Sequence, residues 1–356
     1  MSIWRWADRF SDVAAENQVT LGEGDTPLVR SRAIGPSLGV DRLYFKLETG
    51  NPAGSFKDRF GAAAISHMLE HRQTQCVATS SGNTGAALAA YCAAADVHCR
   101  IAIVETAPAS KLRQMRAYGA DVFRIRAFGV DAEATKECFR RLEAIAQRPD
   151  AAMQVSSYIY SAPGMRGVET ISYELVEQAA DGIDHVFCPA GGGGLCLAVA
   201  RGFAEAVRRG EIARSPAVEC VQPAGNNTIA GPFRDGADKA QEVTCTTQIS
   251  GLQVANVNDG HLVIEECRPT GGAGHLVDDE PIWDMQRQLA QREGIFTEPA
   301  GAVSVAGAVQ AVRQGLVAAD AAIVCLVTGT GFKDEAAIDR MIGPAEFPLI
   351  DIGDLV

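Results

Sequence analysis

Short apolar runs rich in β-branched residues recur along the 356-residue chain, separated by longer stretches with apolar positions every three or four residues. The short runs at 42–47, 75–80, 99–104, 122–126, 185–189, 218–222 and 322–328 read as strands. Helical patterning covers 59–71, 84–95, 110–118, 131–147, 167–180, 194–210, 281–293, 300–315 and 334–342. Polar residues mark several helix starts, among them Asn83–Thr84 and Ser110. Strands alternating with helices predict an α/β fold, with mostly parallel sheet and helices on both of its faces. Ligands of such sheets bind beyond the carboxyl ends of the strands. A glycine-rich, polar section at 224–280 interrupts the alternation and is expected to leave the main body, as an oligomer contact or as part of a site rim.

The length suits two domains, or one large domain with a lobe. The units at 59–152 are expected to form a smaller lobe, flanked by 1–58 and 153–356. Net charge is −12 without a basic cluster, and aromatics are 6% of residues, which argues against nucleic acid and anionic membrane as partners. No apolar run approaches the roughly 20 residues a membrane helix needs. The start, "MSIWRWADRFSD", lacks the apolar core of a signal peptide, and a cytoplasmic protein is expected. Ten cysteines are scattered without a Cys-x-x-Cys pair, several inside apolar runs such as "HVFCP" and "AAIVCLV". They read as small buried apolar groups in a reducing compartment. The six histidines do not cluster with them in sequence, so no metal site is expected.

Four stretches carry chemistry, each where a strand hands over to a helix or loop. In "ETGNPAGSFKDRFG", Lys57 follows a turn-like run and precedes an apolar helix. Burial and a helix start both disfavour the charged form of its amine, which makes it a candidate nucleophile. "VATSSGNTGAALAAY" places Ser80, Ser81, Asn83 and Thr84 at a helix start, where hydroxyls and free N–H groups receive an anion. "VFCPAGGGGLCLAVARG" follows a strand with Gly191, Gly192, Gly193 and Gly194, whose backbone can close around a small phosphate. It matches neither a dinucleotide fingerprint, because Cys196 stands where glycine is required, nor a P-loop. "AAIVCLVTGTGFKDE" ends a buried strand at Thr328, with its hydroxyl at the ligand edge of the sheet. An amine, a carboxylate receptor, a phosphate cup and an edge hydroxyl together suit pyridoxal phosphate and an amino acid.

On the motifs "GEGDTPLV" (22–29), "NPAGSFKDR" (51–59), "SSGNTG" (80–85), "KLRQMRAYGADV" (111–122), "GGGG" (191–194), "GIFTEPAGA" (294–302) and "VTGTGFKD" (327–334), the chain resembles the fold-type II pyridoxal-phosphate enzymes. Within that superfamily it is most similar to the threonine synthase group. The resemblance implies two α/β domains closing over the cofactor, commonly in a homodimer. It implies that Lys57 is the Schiff-base lysine and catalytic base, and that Asn83 bonds the ring hydroxyl. Gly191 to Gly194 would hold the phosphate, and Thr328 would face the pyridine nitrogen. Ser80, Ser81 and Thr84 would receive the substrate carboxylate, and Arg166 is the one obvious cation in 156–170 for a substrate phosphate. The implied activity converts O-phosphohomoserine and water to threonine and phosphate. The alternative is a β-eliminating or β-replacing relative, such as a serine/threonine dehydratase or a synthase of a non-protein amino acid.

Overall fold

Side chains alternate across a strand, and here that alternation sorts the central strands' apolar residues onto two covered faces. The computed structural model describes residues 2–107, 109–344 and 347–354. Ten strands run in chain order: β1 (Leu28–Arg30), β2 (Leu43–Leu47), β3 (Gln75–Ala78), β4 (His98–Val104), β5 (Asp121–Ile125), β6 (Ala151–Met153), β7 (His185–Pro189), β8 (Ala217–Pro223), β9 (Gly274–Val277) and β10 (Ile323–Val327). Six form one sheet in the order β1-β2-β10-β7-β8-β9, and four form another in the order β5-β4-β3-β6. Among the described strand pairs, β1–β2 is antiparallel and the rest are parallel.

In β10, Val324 and Leu326 join one apolar cluster while Ile323, Cys325 and Val327 join another. The same split separates Val186 and Cys188 from Phe187 in β7. The first face is covered by the helix Gly194–Arg208, the second by Pro299–Arg313. Strands buried on both sides lose the polar alternation of a surface strand, which is why their sequences read as plain apolar runs.

All seven strands expected from patterning are present, with ends shifted by a residue or two. Three others are not apparent in the sequence. β1 and β6 are three residues each, and β9 opens with Gly274 inside the polar section. A Cβ on Gly274 would lie 1.9 Å from the Ala230 carbonyl oxygen, so close backbone packing demands glycine in that strand. The section at 224–280 therefore returns an edge strand to the larger sheet. The helix Tyr158–Arg166 also escapes sequence reading, because Pro163 lies inside it and Ser161 breaks its helical geometry. The expected boundary at 58 and 59 falls inside the helix Lys57–Glu70, whereas sheet membership changes between β2 and β3 and again between β6 and β7. All ten cysteines are free, and nine are buried. Among the described residues no helix is long and apolar enough to cross a membrane.

Two residues after Lys57, Arg59 is fully buried and spends every guanidinium hydrogen. Its Nε and Nη2 donate to Glu48 at 2.8 Å each, its Nη1 and Nη2 to Glu174 at 2.6 and 2.9 Å, and its Nη1 to Thr170 at 2.9 Å. Lys46 donates to Glu174 as well, so two cations face two carboxylates. Burial pushes Glu48 and Glu174 up, but the Arg59 guanidinium more than offsets it and holds both below the usual carboxylate range. The loop of "GEGDTP" closes over this network, its Asp25 and Thr26 N–H groups donating to Glu174. Arg59→Leu is expected to cost about 3–5 kcal/mol by leaving buried carboxylates uncompensated. A lowered urea midpoint checks this; an unchanged midpoint would show that the network is dispensable.

Candidate active site

A helix that starts without a side-chain cap leaves its first N–H groups to the turn before it. Here Asp58 folds back on that turn, accepting from the Ala53 N–H at 2.7 Å and the Ser55 N–H at 3.3 Å. The helix Lys57–Glu70 then opens on Lys57 itself. Its Nζ donates to Ser156 Oγ at 2.6 Å, and Ser156 Oγ shares a 2.8 Å hydrogen bond with Thr84 Oγ1. Burial pushes the Lys57 amine down to about 8, against the opposing pull of Asp259 and Glu298. Ser156 follows β6 and Thr84 follows β3, so this chain of bonds joins the smaller sheet to a lysine presented after β2.

The other stretches converge on the same place. Gly191, Gly192 and Gly193 lead from β7 into the helix Gly194–Arg208. Gly193 has φ +95°, and a Cβ there would sit 2.7 Å from Val263 Cγ2. A Cβ on Gly194 would sit 3.3 Å from the Ser156 carbonyl oxygen and 3.0 Å from Asp259 Oδ2. Ser156 thus touches both Lys57 and the glycine turn. Asn83 opens the helix Asn83–Ala94 and donates to Glu298 Oε1 at 2.7 Å. Glu298 lies against Gly329, next to the buried Thr328 just past the end of β10. The turn at 328–330 is pinned from two sides. The Phe56 N–H donates to the Thr328 carbonyl at 3.0 Å, and Thr297 Oγ1 donates to the Gly329 carbonyl at 2.7 Å.

Ser80 lies in the turn beyond β3, where its Oγ accepts from the Gly82 N–H at 3.3 Å, and Ser81 follows it. Arg166, the cation expected for a substrate phosphate, has an exposed side chain. Its guanidinium donates to the Arg9 carbonyl at 2.9 Å. Helix phase explains this. Gly164 packs against Phe60 and Ala64, Gly167 against Arg59 and Ala63, and Met165 faces Gly194, which leaves residue 166 on the outer side.

A family model described as pyridoxal-phosphate dependent enzyme matches residues 19–329, a span that contains Lys57, Asn83, Ser156, the glycine turn, Asp259, Glu298 and Thr328. The chain belongs to this family. Threonine synthase of Methanocaldococcus jannaschii is 32% identical over 346 residues, covering 96% of this chain and 82% of the relative. Threonine synthase of Halalkalibacterium halodurans is 30% identical, covering 98% and 96%. Among solved structures, the processed form of threonine deaminase isoform 2 from Solanum lycopersicum aligns with a TM-score of 0.75 at 22% identity, over 95% of this chain and 92% of that one. Maize serine racemase gives 0.75 at 24% identity, over 96% and 95%. At those identities the structural likeness establishes the fold, which is that of a fold-type II pyridoxal-phosphate enzyme.

The residues present fit this family's cofactor. A turn whose added Cβ atoms would collide at Gly192 and Gly193 is one that keeps its backbone bare, and it opens a helix N-terminus suited to phosphate. A lysine of lowered basicity suits an aldehyde partner. Four residues of the cluster are not singled out by sequence reading. Ser156 and Asp259 sit in stretches read as irregular. Asp259 accepts from Ser157 Oγ at 2.8 Å and the Tyr158 N–H at 3.0 Å, tying the loop after β6 to the glycine turn. Glu298 and Lys333 belong to motifs whose patterns give them no task. Lys333 donates to Gln114 at 2.8 Å, and burial lowers its pKa. The protonated amine cannot attack, so capture of added pyridoxal phosphate by the cofactor-free family member should accelerate as pH rises through about 8 and then level off. Growth of visible absorption follows it. A midpoint near the ordinary lysine value of about 10.4 would show that burial does not set this amine's basicity.

Proposed function

We propose that this enzyme is a pyridoxal-phosphate-dependent lyase that eliminates or replaces a group at Cβ or Cγ of an amino acid, in the manner of threonine synthase. On this reading water replaces the phosphate of O-phosphohomoserine, giving threonine and phosphate. The observation that carries it is the Lys57 amine, brought down to about 8 and held by the Ser156 and Thr84 hydroxyls. Likeness to threonine synthases over nearly the whole chain supports the choice within the family.

When bound, pyridoxal phosphate withdraws electrons from the substrate's Cα, acidifying its proton and allowing a group further along to leave. Lys57 Nζ would hold the cofactor and later carry the α-proton. An amine titrating near 8 is neutral often enough to accept a proton and basic enough to keep it. Ser156 Oγ accepts from Nζ and keeps it pointed into the cleft. Gly191, Gly192, Gly193 and Gly194 would hold the cofactor phosphate through backbone N–H groups, and Asn83 its ring hydroxyl. Thr328 would face the ring nitrogen with a neutral hydroxyl, a weaker support for a charged ring than a carboxylate. Ser80, Ser81 and Thr84 would receive the substrate carboxylate at the start of the helix Asn83–Ala94. The smaller sheet, which carries that helix, is the part we expect to move toward the larger one around substrate.

One observation favours a second reading. The charged groups that act on Lys57 are the carboxylates of Asp259 and Glu298. Carboxylates beside the amine suit a neutral leaving group at Cβ, as in a dehydratase or a β-replacing synthase, while Lys333 near Glu298 is the cation that the first reading has to use. Lys57→Ala is expected to lower turnover by at least roughly 10²–10⁴-fold on any substrate; normal turnover would remove the assignment. Phosphate release and threonine formation from phosphohomoserine would select the first reading. Keto acid and ammonia from serine or threonine would select the second. Under either, Arg166→Ala should change kcat/KM by no more than about twofold, as for an ordinary surface substitution.

A further inference from the structure

Away from the cleft, the fold gathers three thiols that are far apart in sequence. Cys76 on β3 and Cys99 on β4 are direct partners across parallel strands. Cys92 comes from the last turn of the helix Asn83–Ala94, which packs over them. All three are buried, and their sulfur atoms lie within 4.8 Å of one another. Among the described residues this is the one group of three cysteine, histidine or carboxylate ligand atoms that closes so tightly.

Three sulfurs bound to one ion at a metal–sulfur distance of about 2.3 Å stand roughly 4 Å apart in a plane, a spacing compatible with sulfurs that already lie within 4.8 Å of one another. The donor set has no oxygen or imidazole, which excludes magnesium and calcium and selects soft cations. An approach exists. A surface groove of about 500 Å³ reaches Cys92 and Cys99 between Gln75, Asp96, His98 and Tyr118. We propose that Cys76, Cys92 and Cys99 form a three-thiolate site for a soft d¹⁰ cation, of the kind represented by Zn(II), Cd(II) and Cu(I). Taking up a divalent ion forms three metal–sulfur bonds and releases three protons, with no change of oxidation state. The ion would clamp β3, β4 and the helix Asn83–Ala94 together, and that helix begins with Asn83 and Thr84 at the other end. The site is thus independent of the reaction at Lys57 but braces one of its walls.

The test uses the holoenzyme carrying Cys245→Ser, which removes the one part-exposed thiol. Titration with Cd(II) is expected to bind one ion per chain with an ultraviolet sulfur-to-cadmium band, and X-ray absorption should count three sulfurs around it. Cu(I) delivered from a weak chelator is the second probe, expected to bind at the same sulfurs with one ion per chain. Cys92→Ser and Cys99→Ser should each abolish the band, while Cys325→Ser, in the other core cluster, should leave it intact. Failure of both probes to bind, fewer than three sulfurs, or a band that survives Cys99→Ser overturns the proposal. The sulfur count in the Cys245→Ser protein decides the matter even if the other variants do not fold.

Discussion

The position of Lys57 rests on a guanidinium two residues away. Arg59 bonds Glu48 on the 3-10 turn after β2 and Glu174 in the helix Thr170–Gln178, so the start of its own helix is held between two other elements. A buried ion network of this kind contributes little net stability compared with an apolar core of the same volume, because desolvation offsets most of the attraction. Its value is geometric. Arg59 uses all five donors on four partners, Glu48, Glu174, Thr170 and Thr26, in fixed directions, and a shift of the helix by one residue would strand two carboxylates and a guanidinium without water. Apolar residues at these positions would tolerate such a shift. A charged network does not.

With that start fixed, the remaining parts of the site follow from topology. Parallel strands all present their carboxyl ends to one edge, so the turns after β2, β7 and β10 meet without any long connection. The second sheet contributes the turns after β3 and β6, which bring Thr84 and Ser156. Ser156 is where the two sheets meet chemically. Its hydroxyl takes the Lys57 hydrogen bond and its carbonyl lies against the glycine turn. Asp259 fixes the neighbouring residues of the same loop and accepts nothing from Lys57 directly, so its influence on the amine is through charge.

The sequence made the parallel architecture legible because doubly buried strands such as β7, β8 and β10 are continuous apolar runs, and their glycine turns are unmistakable. Lys57, Asn83 and Thr328 stand out in the sequence for a related reason, since each lies where a strand gives way to a turn or helix. What stayed hidden depends on contacts distant in sequence. Nothing around Ser156 distinguishes its hydroxyl from that of Ser157; the difference is that one meets Lys57 and the other Asp259. β9 was concealed by the glycine its neighbours require. The outward side chain of Arg166 was hidden because Pro163 and Ser161 break the periodicity that would have shown it. The closeness of Cys76, Cys92 and Cys99 is a matter of strand register and helix placement, neither of which spacing reports.

Two opposed effects act on the Lys57 amine. Full burial alone lowers a lysine by up to about 3–5 pKa units. Asp259 and Glu298 pull the other way, and the amine settles at about 8. Neither carboxylate bonds to it, so neither removes its lone pair from use as a tight ion pair would. Glu298 is instead engaged by Asn83, and Asp259 by the loop after β6. The acids that tune the lysine are therefore also the groups that hold the opposite walls of the cleft. Displacing either wall would change the amine's basicity as well as its position, which couples the shape of the site to its chemistry.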